Sequence, residues 1–508
     1  MKQVLLFGAG RSATALIDYL LANAAKETWF VTVVDADIKL ARSKVGNSSS
    51  GNAVSFDINN EAERKKHIGE SDIVISLLPP ALHTVVAKSC IELNKNLLTA
   101  SYIEDEIRNL IPKYRDEIEN RNLLFLCEMG LDPGIDHMSA MKIIDRIHTE
   151  GGKVISFRSH CGGLVAPESD DNPWHYKISW NSRNILLAGK SGAHYRENEK
   201  EIFLKYEELF RTDRLVEIPG LGYLCWYPNR DSLSYAPLYG LNDAKTFIRT
   251  TLRHPDFMYG WKNVIEMKLT DETPQYETDG KVLSQFFKEH MDRNGFSDWV
   301  SKKLSERFDQ TKELLEKLMQ LAETENEAQE TGQPLENEFM MVDEKGGLQN
   351  LDLEEIKTNA AAVVAHKMHE ANLTLKQLFF LGMDDDETKI DKGFCSAADV
   401  MQLALEKKLA LMPEDKDMIV MLHEIESEVS GQKSEVRSML IVKGEDGLRT
   451  AMAKTVGLPL GIAVKLILNG TIKLTGLHIP TKKEIYEPVL KELEEQGIRF
   501  KEEITSLS

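Results

Sequence analysis

A strand, a glycine-rich turn and a helix open the chain, and few folds accept that order. Residues 2–7 (KQVLLF) are an apolar run of strand length. Gly8-Ala9-Gly10-Arg11-Ser12-Ala13 follows at once, and Leu16, Ile17, Leu20 and Leu21 then recur at helical spacing. In such a unit the first glycine permits a tight turn, the second lets backbone approach a pyrophosphate, and the small third residue lets helix lie on strand. The helix N-terminus then faces the anion with free N–H groups and the positive end of its dipole.

The surroundings repeat the theme. Trp29–Val34 is a second apolar run and ends in Asp35, about 25 residues past the turn, close to the spacing of a ribose-binding acid. Ile73–Leu78 ends in Pro79-Pro80, and Asn96–Ala100 and Leu123–Leu126 follow with helical segments between them. This is the pattern of an α/β fold with a parallel sheet, and it predicts a dinucleotide-binding Rossmann domain over residues 1–127.

Composition bounds the rest. A chain of 508 residues, 42% hydrophobic and 28% charged, has room for two or three cores. No apolar run is read as a membrane span, and a strand starting at residue 2 leaves no room for a signal peptide. Cys90, Cys127, Cys161, Cys225 and Cys395 are scattered and form no CxxC pair, so neither a disulfide framework nor a metal site is expected, and a cytoplasmic setting is. A net charge of −19 argues against nonspecific binding to nucleic acid or anionic membrane. An anionic cofactor would need local cations against that field.

A substrate-binding and dimerisation domain of α+β type is expected over residues 128–280 and 413–508, with a helical insertion at 281–412. A helix is expected at 134–149, with Asp132-Pro133 as N-cap and first residue and Gly151-Gly152 as the stop. Within the insertion, Leu304, Phe308, Leu314, Leu315, Leu318 and Leu321 have helical periodicity, and the acidic Glu323–Glu330 reads as an exposed linker or a helix end. Asp417–His423 reads as a strand returning to the second domain. Residues 447–456 and 460–468 read as two helices parted by Gly457-Leu458-Pro459, with 447–470 packing back near the Rossmann domain. Residues 482–500 give a helix and a short edge strand. Asp384-Asp385-Asp386 lacks the glycine of a calcium loop, since Lys389 stands there.

Several residues carry candidate chemistry. Asp35 can accept from both ribose hydroxyls and would repel a 2′-phosphate, which favours NAD over NADP; Arg42 could pair such a phosphate, and Asp35 could equally be a strand-ending turn residue. Ser76-Leu77-Leu78 with His83, and Ala100-Ser101-Tyr102, lie at strand ends where open α/β sheets bind ligands. Tyr102 is either a donor to a substrate carboxylate or a core tyrosine. Asp132 is either a helix cap or a site residue at the domain crossing. His160-Cys161-Gly162-Gly163 follows a strand; Cys161 has no base beside it in sequence and is not read as a nucleophile. Trp174, Tyr176, Trp180, Asn181, Ser182 and Arg183 form an aromatic and polar cluster. Arg230 and Arg249, among aromatic residues in an acidic chain, suit an anionic substrate, although surface ion pairs would also account for them.

Together GAGRSA, SLLPPALH, LLTASYI, EMGLDPGIDHMSAMKIID, SHCGGLVAPESDDNPWHYKISWNSRN, YPNRDSLSY, FIRTTLR, DMIVMLHEIE and VGLPLGIAVKLILNG resemble the saccharopine dehydrogenase family of the L-glutamate-forming type, also called saccharopine reductase. The resemblance spans nearly the whole chain; after residue 281 it holds in outline, and 322–347 looks like an expansion. It implies oxidative cleavage of saccharopine to glutamate and 2-aminoadipate 6-semialdehyde, or the reverse, with hydride passing between the CH2 carbon beside the secondary amine and NAD or NADP, and hydrolysis of the imine. It further implies substrate contacts from Ser101, Tyr102, Asp132, Cys161, Gly162, Trp180, Arg230, Arg249 and Thr250. Cofactor contacts are implied from Gly8, Gly10, Arg11, Ser12, Ala13, Asp35, Leu77, Leu78, Ala100 and Leu131. Asp132, Tyr102 and Cys161 are the proton-transfer candidates, and a homodimer is implied. Fungal members carry a basic residue where Asp35 stands and use NADP. A carboxynorspermidine-synthase-like condensation and a non-catalytic NAD sensor are the alternatives.

Overall fold

The computed structural model describes all residues except 104–114, 300, 304, 307, 308, 310, 311, 313–315, 317–337, 343–347, 353–367, 371 and 508. Two compact units are present, one of residues 1–255 with 409–508, the other of residues 256–408.

The first unit holds two sheets. One has seven strands: β1 (Lys2–Phe7), β2 (Trp29–Val34), β3 (Gly51–Val54), β4 (Ile73–Ser76), β5 (Asn96–Thr99), β6 (Leu124–Leu126) and β19 (Gly476–His478). Their order is β19-β6-β5-β4-β1-β2-β3, and every neighbouring pair is parallel. This is the doubly wound arrangement, with its switch point between β1 and β4. Val4 to Phe7 and Ile73 to Ile75 are at most 2% exposed, as a strand covered on both faces requires. β19 comes from the C-terminal segment, a three-residue strand with no sequence signal of its own.

Helix α1 (Thr14–Glu27) packs on the helix Ala451–Leu468. The latter is one continuous helix and not the two expected. Gly457 and Gly461 do not break it; a Cβ on Gly457 would stand 2.7 Å from the Leu16 backbone nitrogen, and one on Gly461 2.5 Å from the Tyr19 ring, so these glycines let two helices approach closely. Its N-terminus is closed by Thr450 and by the buried Asp417 carboxylate, which accepts from the Met452 N–H at 2.9 Å. By length and composition this helix could cross a membrane, contrary to the expectation that no segment would. Its mean hydropathy is 1.6, and 72% of it is buried inside the protein, as suits a core helix.

The second sheet has nine strands. Its central strand β7 (Lys153–Val165) lies between β12 (Thr246–Arg253), parallel to it, and β17 (Asp417–Val429), antiparallel. β17 continues six residues past the expected end at His423. β18 (Gln432–Lys443) and β20 (Lys501–Leu507) extend one side, β11 (Gly222–Pro228) and β10 (Leu215–Ile218) the other, and β8 (Ala193–Glu197), paired with β9 (Lys200–Leu204), branches from β12. The helix Lys483–Glu495 precedes β20.

The helix at 134–149 begins at Ile135, and Asp132 is not its cap. Gly134, at φ +148, is the N-cap residue, and a Cβ there would overlap the Gly130 backbone at 2.1 Å. The Asp132-Pro133 peptide is cis. Because Asp132 does not cap the helix, its carboxylate is left for other partners.

The second unit is not all-helical and starts earlier than 281. The helix Pro255–Glu266 leads into it, and it contains the helices Leu283–Arg293 and Ala397–Lys408 together with two antiparallel strand pairs. In one of them Pro274–Glu277 faces Phe394–Ser396, with Tyr276 and Cys395 buried. Leu304, Phe308, Leu314, Leu315, Leu318, Leu321 and the stretch Glu323–Glu330 lie outside the described residues.

Candidate active site

The turn after β1 is shaped for an anion. Gly8 has φ +99, and a Cβ there would stand 2.7 Å from the Leu77 carbonyl oxygen. The Leu77 N–H donates to the Phe7 carbonyl at 2.8 Å, which holds the ends of β1 and β4 side by side at the switch point. Space is open where a Gly10 Cβ would be. Asp35, at the end of β2, accepts from the Ala9 N–H at 2.7 Å and from the Asp37 N–H at 2.9 Å. Each carboxylate oxygen keeps a lone pair for a ribose hydroxyl. A turn that admits only glycine at Gly8 and leaves open space over Gly10, beside such an acid, fits a pyridine dinucleotide. One cation was not foreseen. Lys44, on the helix Ile38–Val45, donates to the Gly10 carbonyl, and burial pushes its ammonium down to about 8 against the opposing pull of Asp35 and Asp18.

Beyond the sheet end lies a buried cluster. The Tyr102 hydroxyl donates to Asp132 Oδ1 at 2.7 Å. Arg249 Nη2 reaches Asp132 Oδ1 at 2.8 Å, Asp136 Oδ2 at 2.7 Å and the Tyr102 oxygen at 3.3 Å. Asn229 donates to the Tyr102 oxygen at 3.2 Å, and the Arg230 guanidinium lies 4.9 Å from the centre of the Tyr102 ring. Arg249 also stacks on Tyr235 at 4.4 Å. Its Nε is buried with no hydrogen-bond partner among the described residues.

One guanidinium thus serves two carboxylates, and the two divide. Burial pushes Asp132 up, and the neighbouring Asp136 charge adds to this. Burial also raises Asp136, but His137 and Arg249 outweigh it and hold Asp136 below the ordinary range. Of the two, Asp132 is therefore the one that takes up a proton more readily. Burial drives the Tyr102 hydroxyl well above its usual value, and does the same to the Cys161 thiol with help from Asp132 and Asp136. Cys161 keeps its proton, consistent with its not being a nucleophile.

The other expected residues divide by position. Ser101 bonds His83 Nε2 at 2.9 Å, whose Nδ1 meets Ser76 at 2.8 Å; burial lowers His83 to about 4, so it is neutral. Ala13 is buried in the main core, while Arg11 donates to the Ile178 carbonyl at 2.7 Å. Ser12, Leu77 and Leu78 are half-buried around the turn. Ala100 lies against Gly130, and Leu131 is 5% exposed. Trp180 donates to the Tyr176 oxygen at 3.1 Å. Gly162 and Thr250 are not brought into the cluster. Strand alternation puts them on the face opposite Cys161 and Arg249; Thr250 bonds His160 Nδ1 at 2.7 Å, and a Cβ on Gly162 would strike Leu252 at 2.7 Å. Sequence reasoning missed Glu128, Asp136, His137, Asn229, Tyr235 and Tyr239. The first three flank Asp132 in one motif, and their charges were signal enough; the tyrosines carry none.

A doubly wound sheet with this cradle and with Tyr102 past the end of β5, joined to a mixed sheet that brings Arg249 to the buried Asp132, defines an NAD(P)-linked oxidoreductase. Residues 4–122 match the saccharopine dehydrogenase NADP binding domain, and residues 130–498 the saccharopine dehydrogenase C-terminal domain. The chain belongs to the saccharopine dehydrogenase family. It is 33% identical over 506 residues to saccharopine dehydrogenase [NADP(+), L-glutamate-forming] of Saccharomyces cerevisiae, covering 99% of each chain. It is 31% identical to alpha-aminoadipic semialdehyde synthase of Arabidopsis thaliana, of which it spans 44%. Apo saccharopine dehydrogenase (L-Glu forming) from Saccharomyces cerevisiae superposes with a TM-score of 0.76 at 30% identity, covering 99% of this chain and all of that one. Homospermidine synthase from Legionella pneumophila, at 9% identity and a TM-score of 0.50 over 99% of this chain and 91% of that one, shares the fold alone.

Proposed function

We propose that the chain interconverts saccharopine with L-glutamate and 2-aminoadipate 6-semialdehyde, using NAD or NADP. The observation that carries this reading is the buried Tyr102–Asp132–Arg249–Asp136 cluster beside the glycine cradle, in a chain of this family. When bound, the dinucleotide supplies the hydride acceptor; Gly8, Gly10, Asp35 and the ends of β1 and β4 would hold it. Asp132 takes the proton from the substrate's secondary amine, which must be neutral for its neighbouring carbon to lose hydride. That proton passes to solvent, and the carboxylate so restored takes a proton from the water that adds to the imine carbon and returns it to the glutamate nitrogen as the carbinolamine collapses. Tyr102, bonded to Asp132 Oδ1, fixes the orientation of that carboxyl. Arg230 and the free Nε of Arg249 face the substrate carboxylates. Saccharopine, a dinucleotide and water give glutamate, semialdehyde, the reduced dinucleotide and a proton.

Mixing the purified chain with saccharopine and either NAD or NADP at mildly alkaline pH tests this by the absorbance of reduced nicotinamide. Turnover is expected; no turnover with either cofactor rules the reading out and favours an amine-condensing relative or a sensor. NAD is expected to serve better because of Asp35. Lys44 beside the turn is expected to keep NADP usable: Lys44→Met should weaken 2′,5′-ADP binding, read by calorimetry, by about tenfold, the scale of one charge-assisted contact, and leave 5′-AMP binding within twofold. Equal loss for both nucleotides would remove Lys44 from cofactor choice. A cytoplasmic homodimer belongs to the same proposal, and sedimentation of the purified chain reads its mass.

A further inference from the structure

Glu128 stands directly behind the cluster and has no part in the reaction as derived above. It is 1% exposed, and it adopts φ +58, a left-handed conformation that glycine would take without strain. A buried, charged, non-glycine residue in that conformation is held there by what its side chain does. Its backbone N–H donates to the Ser101 carbonyl at 3.2 Å, and its Oε1 accepts from the Ile103 N–H at 3.0 Å. Glu128 therefore grips the chain on both sides of Tyr102. The Tyr235 hydroxyl donates to its two oxygens at 3.1 and 3.2 Å, and His137 Nε2 lies 2.8 Å from Oε2.

The hydrogen-bond directions follow from the carboxylate. It can only accept, so His137 donates from Nε2, while its Nδ1 meets the Tyr239 hydroxyl. Burial raises Glu128, but His137, the Ile103 N–H and Arg249 hold it below the ordinary range, so it is charged at neutral pH. The groups facing it are Tyr235 and Tyr239 after β11, Asp136 and His137 on the helix Ile135–Thr149, and Arg249 on β12. Tyr102 and Asp132 lie past Arg249, and Cys161 of β7 and His423 of β17 line the same interior.

We infer that Glu128 is a positioning residue for this chemistry, clamping the segment that carries Tyr102 and supplying a buried negative charge that competes with Asp132 for Arg249. The inference rests on the proposed reaction. In saccharopine oxidation Asp132 must be ionised to take the amine proton, so the acid limb of kcat/KM against pH reports it. Glu128→Gln keeps the shape and removes the charge. Arg249 then turns more fully to Asp132, which ionises more easily. The acid limb is expected to move to lower pH by roughly half a unit or more, and kcat to fall about tenfold with KM little changed. Glu128→Asp keeps the charge and loosens the clamp, so kcat falls while the limb stays at its wild-type position.

A Glu128→Gln profile that overlays the wild type overturns the inference, even if the rate is lower, because a purely structural brace would lower the rate without moving the limb. Binding of NADH, followed by its fluorescence, establishes that the variant is folded. Should it not fold, Tyr235→Phe removes one donor to the same carboxylate, leaves its charge a stronger competitor for Arg249, and is expected to move the limb to higher pH by less; an unmoved limb there overturns the inference too. A wild-type chain that does not turn over saccharopine defeats the functional reading itself, which is a separate outcome from an unmoved limb in an active enzyme.

Discussion

Replacing Arg249 with methionine is expected to abolish saccharopine turnover and to cost about 3–5 kcal/mol of folding free energy, the scale for leaving a buried charge without its partner. Methionine fills the space of the stem and stacks on Tyr235 in its place. It cannot reach Asp132 and Asp136, which Arg249 Nη2 meets at 2.8 and 2.7 Å with a side chain only 3% exposed. The two carboxylates would then share one buried site without a cation. Arg249→Lys keeps a charge but not the planar fork, so it should recover part of the stability and little of the activity. The double variant Arg249→Met/Asp136→Asn distinguishes the two roles of the arginine. Removing the second carboxylate should restore most of the stability in urea unfolding, because the excess buried charge is gone. It should not restore turnover, because Asp132 still lacks its partner and the substrate its clamp. A single Arg249→Met variant as stable as wild type would mean that the carboxylates are not both ionised in the folded chain.

The parts of this molecule legible in its sequence are those whose signals are local. Five of the seven Rossmann strands announce themselves by a short apolar run, and the glycine turn does so by spacing alone, so β1, β2, β4, β5 and β6 and the Asp35 position follow from residues close together in the chain, whereas β3 and β19 do not. The failures are those decided at a distance. Gly457-Leu458-Pro459 reads as a helix break because nothing in that segment says that Leu16 and Tyr19 pack against Gly457 and Gly461. Asp132 reads as a cap because Asp-Pro before a helical pattern is a cap signal; the Gly130–Gly134 approach that starts the helix two residues later depends on backbone geometry. β17 runs on past His423 through Glu424, Ile425, Glu426, Ser427 and Glu428, an alternation that fits a half-exposed strand and was legible. The site itself gathers residues from Tyr102, the Glu128–His137 segment, Cys161, Asn229 to Tyr239 and Arg249. Sequence gives each candidate a residue type. Only the fold puts Arg249 between two acids and Thr250, its neighbour, on the other side of the sheet.

Asp132→Asn is expected to separate catalysis from stability most sharply. Loss of the proton acceptor should lower kcat for saccharopine oxidation by roughly 10²–10⁴-fold, the range for a general base, and should remove the acid limb of the pH profile, since no group at that position titrates. NADH binding should persist, because the cradle at Gly8 and Gly10 does not depend on this carboxylate. Stability should change in the opposite sense from activity. Burial and Asp136 raise Asp132 above its value in the unfolded chain, about 3.9. Between that value and the folded one the native protein binds the extra proton, so wild-type stability declines as pH rises through this window and then levels off. Asparagine has no proton to lose and avoids the decline. The variant should therefore be the more stable protein at pH 8 and draw level with, or fall below, wild type in acid. The curves should separate only as the pH rises. If the variant is instead destabilised most at alkaline pH, the Arg249–Asp132 ion pair stabilises the fold, Asp132 is already ionised at the lower pH, and the proton acceptor must be sought among its neighbours.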